Sequence, residues 1–200
     1  MSNYSLLGPI ERSLLDPFID QCRSIDWSND AYQRFEAPLT GGRMLEYPFV
    51  MTTRFAYSEQ ERTILYASEP LLNWIMALPR FADHLWIRGE IGALTPGVTL
   101  GWHIDMNRTN DWHAMCTKLH IPLITNADCE EMWEGDAVHM EVGSLYEFNN
   151  RVLHTATNQG SETRVHLILA LMPKASWPEF VSRVPTKVVR YQQAEGIRCE

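Results

Sequence analysis

The sequence predicts a mainly β fold with flanking helices, because two kinds of hydrophobic periodicity occupy different parts of the chain. From about residue 84, apolar residues recur at every second position in short segments separated by glycine- and proline-containing turns. This pattern is typical of an all-β sandwich or barrel. A chain of 200 residues is long enough for one domain with a hydrophobic core. We expect a single domain of residues 1–200, with a helical or mixed part at 1–80, a β core at 81–172 and a tail at 173–200.

Two helices are predicted in the first third of the chain. Apolar residues within 14–19 follow helical spacing, and Pro17 predicts that this helix begins close to it. Residues 58–61 read Ser-Glu-Gln-Glu and resemble a capping box. They precede a helical pattern over 64–75 that is expected to end near Pro79. In the tail we expect a further helix and an irregular segment outside the barrel.

Four segments carry the period-two pattern of strands, namely residues 84–91, 118–124, 141–148 and 163–169. In the first segment, Leu85, Ile87 and Ile91 are expected to share one face. In the second segment, Pro122 predicts an edge position or a bulge, because proline lacks the N–H that a central strand requires.

Composition excludes several classes of function. The formal net charge is -8 with a pI near 5.4, and the basic residues are scattered, which argues against nucleic acid as the main partner. No segment has the pattern of a signal peptide or the length of a membrane span. The cysteines show no disulfide or zinc-type spacing, so we expect reduced thiols in a cytoplasmic protein; they are Cys22, Cys116, Cys129 and Cys199. Oligomeric state is left open.

The tripeptide His103-Ile104-Asp105 and the distant His154 are candidate metal ligands. Residues two apart on a strand point to the same side, so His103 and Asp105 can act together, and the fold must bring His154 to them. Two imidazoles and one carboxylate on one face of an octahedral ion leave three positions open, which is typical of non-haem Fe(II) oxygenases. The alternative is a chance tripeptide, since the chain contains seven histidines.

Two further pairs of polar residues are predicted to point into the barrel. Arg164 and His166 share one face of their strand, and Lys118 and His120 share one face of theirs. A buried charge requires a partner, and a dicarboxylate co-substrate would supply one to Arg164. The alternative is that this face of the sheet is exposed to solvent.

Several motifs in order resemble the aspartyl/asparaginyl β-hydroxylase family of Fe(II)- and 2-oxoglutarate-dependent oxygenases. The resemblance extends over about residues 85–172. The segments that carry it are Leu-Thr-Pro-Gly at 94–97, His-Ile-Asp at 103–105, Lys-Leu-His-Ile-Pro-Leu-Ile-Thr-Asn at 118–126, Trp-Glu-Gly at 133–135, Gly-Ser-Leu-Tyr-Glu-Phe-Asn-Asn at 143–150, His-Thr-Ala-Thr-Asn at 154–158 and Arg-Val-His-Leu-Ile at 164–168.

The resemblance implies a double-stranded β-helix core (a jelly-roll, cupin-like fold) with His103, Asp105 and His154 as iron ligands. It implies that Arg164 binds the distal carboxylate of 2-oxoglutarate and that His120 lies near its metal-chelating end. Lys118 stands where the family usually has arginine, which keeps the charge and loses the bidentate fork. Because Asp105 is present, the chain is similar to the complete-triad branch that includes free-proline hydroxylases.

The function expected from these residues is hydroxylation of an amino acid, an amino-acid-derived molecule or a peptidyl residue. Fe(II), 2-oxoglutarate and O2 are required, and succinate and CO2 are released. Desaturation, cyclisation or demethylation at the same metal, or a non-catalytic cupin-like binding domain, are alternatives, and zinc hydrolysis is a weaker one. The partner is then a small amino-acid-like molecule or a peptide. Candidate substrate contacts are Arg88, Glu90, Trp102, Asn107, Asn149 and Arg151.

Overall fold

The computed structural model describes residues 3–27, 33–36, 43–48, 69–105 and 114–183. Its strands and helices in chain order are β1 (Tyr4–Pro9), α1 (Arg12–Arg23), β2 (Gln33–Glu36), β3 (Arg43–Pro48), α2 (within 69–76), β4 (His84–Leu94), β5 (Val98–Thr99), β6 (Thr117–Ile124), β7 (Cys129–Trp133), β8 (Asp136–Val138), β9 (Ser144–Phe148), β10 (His154–Asn158), β11 (Arg164–Pro173) and α3 (Trp177–Arg183).

Two antiparallel sheets form the body of the molecule. The larger sheet has the strand order β1-β9-β6-β11-β4-β3-β2, and the smaller has the order β5-β10-β7-β8. Neighbours in space are often distant in sequence, as with β11 between β4 and β6, which is typical of a jelly-roll. The mainly β prediction with flanking helices is therefore confirmed. Strands β1, β2 and β3 from the N-terminal part extend the larger sheet at its two edges.

The larger sheet has one apolar face and one polar face. Alternate residues of its strands pack with helices α1 and α2 in the main hydrophobic cluster, and these include Leu119, Ile121 and Leu123 of β6 and Val165, Leu167 and Leu169 of β11. The residues between them point the opposite way, toward the smaller sheet. Lys118, His120, Arg164 and His166 therefore lie between the two sheets, on the inner face that the sequence predicts for them.

Strand β6 accommodates its proline at an irregularity in the pairing. Pro122 is opposite His166, and the register shifts between Val165 and His166. On the other side of β6, the pairing with β9 extends only from Lys118 to His120. The predicted bulge is thus confirmed, and no hydrogen-bonded partner on β9 requires an N–H from Pro122. The alternative of an edge strand was wrong, because β6 lies between β9 and β11.

The expectation that Leu85, Ile87 and Ile91 share one face is wrong. Leu85 and Ile87 pack with Phe180 of α3, whereas Ile91 belongs to the main cluster. The cause is a register shift between Ala170 and Leu171 of β11, at which Ile87 is skipped in the pairing. A bulge adds one residue to a strand and so reverses the faces of all residues beyond it.

Helix α1 begins earlier than predicted, because Pro17 lies inside it and not at its start. An interior proline removes one backbone hydrogen bond and usually breaks a helix. Here Leu15, Phe18, Ile19 and Cys22 are all buried on one face, and their packing compensates for the lost bond. The second predicted helix is observed over 69–76, and it ends before Pro79 as predicted. The capping-box residues 58–61 lie outside the described residues.

The described cysteines, Cys22, Cys116 and Cys129, are buried and form no disulfide. Burial raises the pKa of Cys22 and of Cys116 to about 12, so both thiols are protonated and unreactive at neutral pH. Cys199 lies outside the described residues. Among the residues that the structure describes, no helix is long and apolar enough to cross a membrane.

The turn between β10 and β11 is held by two asparagine side chains. Asn158 Nδ2 donates to the carbonyl oxygens of Leu94 and Glu162, both at 2.8 Å, and Asn126 Nδ2 donates to Asn158 Oδ1 at 3.2 Å. A Cβ on Gly160 would lie 2.2 Å from Asn126 Oδ1. This close approach requires a glycine, because the Asn126 amide is fixed by its own hydrogen bonds.

We predict that Gly160→Ala lowers the free energy of unfolding by about 1–3 kcal/mol, because the added methyl group displaces Asn126. Urea denaturation measures this change. Gly101→Ala is the matched control, since a Cβ on Gly101 meets no atom within 4 Å. Equal stability of the two variants would contradict this account of the turn.

Candidate metal and co-substrate site

The backbone brings the two predicted histidine ligands side by side. His154 opens β10, and His103 forms an isolated antiparallel bridge with it. Each residue donates its backbone N–H to the carbonyl of the other at 2.9 Å. The two rings lie 4.4 Å apart between centroids. The backbone N–H of Asp105 bonds to Asn150 O at 3.3 Å, which fixes the third candidate ligand beside them.

The side chains of His103, Asp105 and His154 converge on one point. Each histidine Nε2 lies 3.6 Å from Asp105 Oδ1, and the three candidate ligand atoms are all within 4.8 Å of one another. His103 Nδ1 is 2.8 Å from Gly101 O, and His154 Nδ1 is 2.8 Å from Val152 O. A carbonyl can only accept, so both Nδ1 atoms carry the proton and both Nε2 atoms offer a lone pair.

The protonation states of these residues suit metal binding. Burial lowers the pKa of His154 to about 4, so its ring is neutral at neutral pH. Burial would raise the pKa of Asp105, but the charge and hydrogen bond of Lys118 outweigh it, with help from His154 and His103, and the net shift is downward. The site therefore presents the neutral ring of His154 and the ionised carboxylate of Asp105 to a metal ion.

Lys118 pairs with the carboxylate of the predicted metal site. Its Nζ lies 2.5 Å from Asp105 Oδ2 and 5.4 Å from the centre of the Phe148 ring. Because Lys118 holds Oδ2, the other oxygen, Oδ1, faces the two histidines. The sequence predicted Lys118 to contact the co-substrate, whereas the contact that the structure gives it is with Asp105.

The residues fit a divalent metal ion. Two imidazole nitrogens and one carboxylate oxygen, each oriented by a hydrogen bond from or to a neighbouring group, are the donor set of non-haem iron sites. All three donors come from one side, so the opposite side is free of protein ligands from this group. The structure thus brings together all three predicted ligands, although they are 51 positions apart at the extremes.

A second polar cluster lies deeper between the sheets and contains Arg164. Its guanidinium forms an ion pair with Glu131 of β7. Its Nε lies 3.1 Å from His166 Nε2 and its Nη2 lies 2.8 Å from His166 Nδ1, and the neutral ring accepts a hydrogen bond at one of these two nitrogens. Arg164, Glu131 and His166 are all buried. Burial lowers the pKa of Arg164 to about 10, so the guanidinium remains charged at neutral pH.

His120 connects the two clusters, and among the described residues neither of its ring nitrogens has a hydrogen-bond partner. Its ring stacks on Phe148 at 4.3 Å. Burial and the neighbouring Lys118 charge hold its pKa well below the usual range, so the ring is neutral. Buried polar atoms are nearly always bonded, so two unpartnered nitrogens indicate the place of a polar ligand.

The group His120, Glu131 and His166 also has metal-ligand spacing. Its charge is already balanced, because Arg164 contacts both Glu131 and His166. A cation at this point would face the guanidinium at short range in a buried setting, which is strongly unfavourable. We therefore assign no metal to this cluster.

The predicted substrate contacts are dispersed. Glu90 is buried on the inner side of β4, opposite Ile168. Trp102 is 51% exposed, and Asn149 Oδ1 accepts the backbone N–H of the exposed Arg151 in a turn. The Arg88 side chain and Asn107 lie outside the described residues. Their proposed contacts with substrate stay predictions.

Sequence reasoning missed two residues of the site, Glu131 and Phe148. Glu131 lies on β7, where Cys129, Glu131 and Trp133 are buried and Glu130 is exposed. This alternation was a detectable signal for a strand with an inward glutamate. The Phe148 ring contacts His120 and His154, and its centroid lies 4.9 Å from that of His154.

Residues 88–173 match the family model described as aspartyl/asparaginyl beta-hydroxylase. The structure is similar to a 2OG-Fe(II) oxygenase family oxidoreductase from Burkholderia pseudomallei, with 13% identity, 85% of each chain covered and a TM-score of 0.54. It is also similar to a Pseudomonas putida prolyl-4-hydroxylase, with 15% identity, 86% of this chain and 92% of that chain covered, and a TM-score of 0.52. AviO1 from Streptomyces viridochromogenes matches with 14% identity, coverage of 85% and 89%, and a TM-score of 0.55. At these identities the likeness shows the fold. No curated protein matches the sequence.

We predict that Lys118→Met raises the pKa of Asp105 in the metal-free protein. The two effects of Lys118 that lower this pKa are lost, while burial, which raises it, remains. Carbon-detected NMR titration of the Asp105 carboxyl measures the change. Lys118→Arg is the control, since it retains the charge. An unchanged pKa in Lys118→Met would show that Lys118 does not hold this carboxylate in solution.

We also predict that the metal-free protein loses stability as the pH falls below about 6.5. His120, His154 and His166 have lowered pKa values when folded, so between the folded and unfolded pKa values the unfolded chain binds more protons. Each histidine contributes a slope of up to about 1.4 kcal/mol per pH unit in its own window, which for His154 runs from 6.5 to about 4. Urea denaturation between pH 7.5 and 5, in a chelating buffer, tests this, and constant stability across that range would contradict it.

Proposed function

We propose that this protein is an oxygenase that hydroxylates an amino acid, an amino-acid-derived molecule or a peptidyl residue. Its residues 88–173 match the family model described as aspartyl/asparaginyl beta-hydroxylase. The observation that carries this proposal is the convergence of His103, Asp105 and His154, with both histidine Nε2 atoms free to bind iron. The unpartnered ring of His120 beside it supports a 2-oxo acid as co-substrate.

Fe(II) bound by the three ligands, together with 2-oxoglutarate and O2, supplies the oxidising chemistry, in which one oxygen atom enters a substrate C–H bond, the other enters succinate, and CO2 leaves. The chain's own residues prepare this chemistry. Gly101 and Val152 carbonyls hold the two imidazoles in the tautomer that binds metal. Lys118 holds the outer oxygen of Asp105. These fixed partners keep the ligand set in place when iron enters.

The region deeper than the metal ligands suits the co-substrate. His120 offers a ring nitrogen to a polar ligand, and Arg164 is the buried cation beyond it. The apolar faces of Phe148 and Trp133 line the same interior and exclude water from it. Exclusion of water strengthens every electrostatic contact to a bound anion.

The identity of the substrate is the finer part of the proposal. We infer a small amino-acid-like molecule or a peptide and no nucleic acid, because the basic residues form no cluster and the net charge is -8. Glu90, buried on the inner side of β4, is a candidate partner for a substrate amine. Membership of the free-proline hydroxylase branch stays a prediction.

We predict that anaerobic addition of 2-oxoglutarate to the Fe(II)-loaded protein produces a visible metal-to-ligand charge-transfer band. His154→Ala should abolish the band, because it removes one of the three ligands. His139→Gln is the matched control, because the ring of His139 bonds to Cys129 O and lies outside the ligand set. Absence of the band with iron bound would instead favour a non-catalytic cupin-like domain.

A screen for succinate release in air then addresses the substrate. Free amino acids and short peptides, each with product analysis, separate hydroxylation from desaturation, cyclisation and demethylation. We expect an amino-acid or peptide substrate to stimulate succinate release above the uncoupled rate. Stimulation by neither class, in a protein that gives the charge-transfer band, would overturn the substrate part of the proposal.

A further inference from the structure

Glu131 is paired with Arg164, whose guanidinium is expected to bind the distal carboxylate of the co-substrate. Its carboxylate forms an ion pair with Arg164, and both side chains are almost fully buried, at 3% and 6% exposure. Glu131 Oε1 also lies 3.8 Å from a ring nitrogen of both His120 and His166. Glu131 is thus the acidic group at the centre of a buried cluster formed with Arg164, His120 and His166.

The charge balance of this pocket is already complete without a co-substrate. Arg164 contributes one positive charge and Glu131 one negative charge, while burial keeps His120 and His166 neutral. A second carboxylate that enters the pocket must share Arg164 with Glu131 or displace it. A shared guanidinium leaves one negative charge buried without a partner, which is costly at low dielectric.

A 2-oxo acid whose distal end is uncharged would not compete with Glu131 for Arg164. An alkyl group in place of the distal carboxylate leaves the pair between Arg164 and Glu131 intact. Leu94 lies opposite Arg164 on β4 and belongs to a buried apolar cluster with Val98 and Ala156, which offers such a group apolar surface. The usual advantage of a dicarboxylate over a monocarboxylate at a buried arginine is therefore reduced here.

We propose that Glu131 is a specificity-determining residue of the co-substrate pocket, which competes with the distal carboxylate of the 2-oxo acid for Arg164. Glu131 thereby weakens the binding of 2-oxoglutarate. It also reduces the factor by which the protein binds 2-oxoglutarate more tightly than 2-oxo acids that carry one carboxylate. This inference rests on the proposed function, because it requires a 2-oxo acid to extend from the metal toward Arg164.

The test compares 2-oxoglutarate with 2-oxopentanoate, which has the same chain length and a methyl group in place of the distal carboxylate. Dissociation constants of both acids are measured by anaerobic calorimetry on the Fe(II)-loaded, full-length protein. For the wild-type protein we expect 2-oxoglutarate to bind no more than roughly tenfold tighter than 2-oxopentanoate. A preference above roughly tenfold would overturn the proposal without any variant.

Glu131→Gln removes the competing charge and retains a similar shape and an oxygen that accepts a hydrogen bond from Arg164. We expect the preference for 2-oxoglutarate to rise by roughly tenfold or more, with 2-oxopentanoate binding little changed. Glu130→Gln is the matched control, because Glu130 is the adjacent, exposed residue of the same strand, and its preference should equal that of the wild type.

The outcomes separate this inference from the proposed function. If the wild-type protein binds 2-oxoglutarate and Glu131→Gln leaves the preference unchanged or lowers it, the inference is wrong and the oxygenase assignment stands. If the wild-type protein holds Fe(II) and binds neither acid, the proposed function fails and the inference fails with it. If Glu131→Gln does not fold, the wild-type preference alone decides.

Discussion

The site depends on the burial of a guanidinium between two sheets. Arg164 projects from the central strand of the larger sheet, where no water is available to solvate it, and its charge must be balanced from the opposite sheet. Glu131 supplies that balance from β7, and the ring of His166 accepts one further hydrogen bond from the guanidinium. The ion pair joins the two sheets by a contact that hydrophobic packing alone does not provide.

The period-two geometry of strands explains how one sheet serves two purposes. On β6 and β11, one set of alternate residues completes the apolar core against helices α1 and α2. The other set carries Lys118, His120, Arg164 and His166 toward the smaller sheet. Bulges at Pro122 of β6 and at Ile87 of β4 change which residues point toward the helices and which point toward the smaller sheet. One face of each strand therefore packs in the hydrophobic core, and the opposite face carries the polar residues of the candidate site.

Two ion pairs flank an uncharged histidine along the line from the metal ligands to the interior. At the outer end, Lys118 balances Asp105, and His103 retains partial exposure. At the inner end, Glu131 balances Arg164. Between them, His120 is neutral and has no hydrogen-bond partner, with its ring against Phe148. The position of His120, where a polar ligand would find unpartnered ring nitrogens, therefore contains no ion pair.

The sequence by itself determined the local features of this protein. Alternation of apolar residues was sufficient to predict strands β6, β9 and β11. The His103-Ile104-Asp105 tripeptide, with the ordered motifs around it, was sufficient to select the candidate ligands and the family model that residues 88–173 match. Only the tertiary structure decided the pairings between distant residues. Lys118 pairs with Asp105, Ile87 is turned away from Ile91 by a bulge, and Glu131 pairs with Arg164 across the barrel. The physical reason is that strand periodicity fixes the side to which a residue points, whereas the register and the packing of two sheets fix what it meets there.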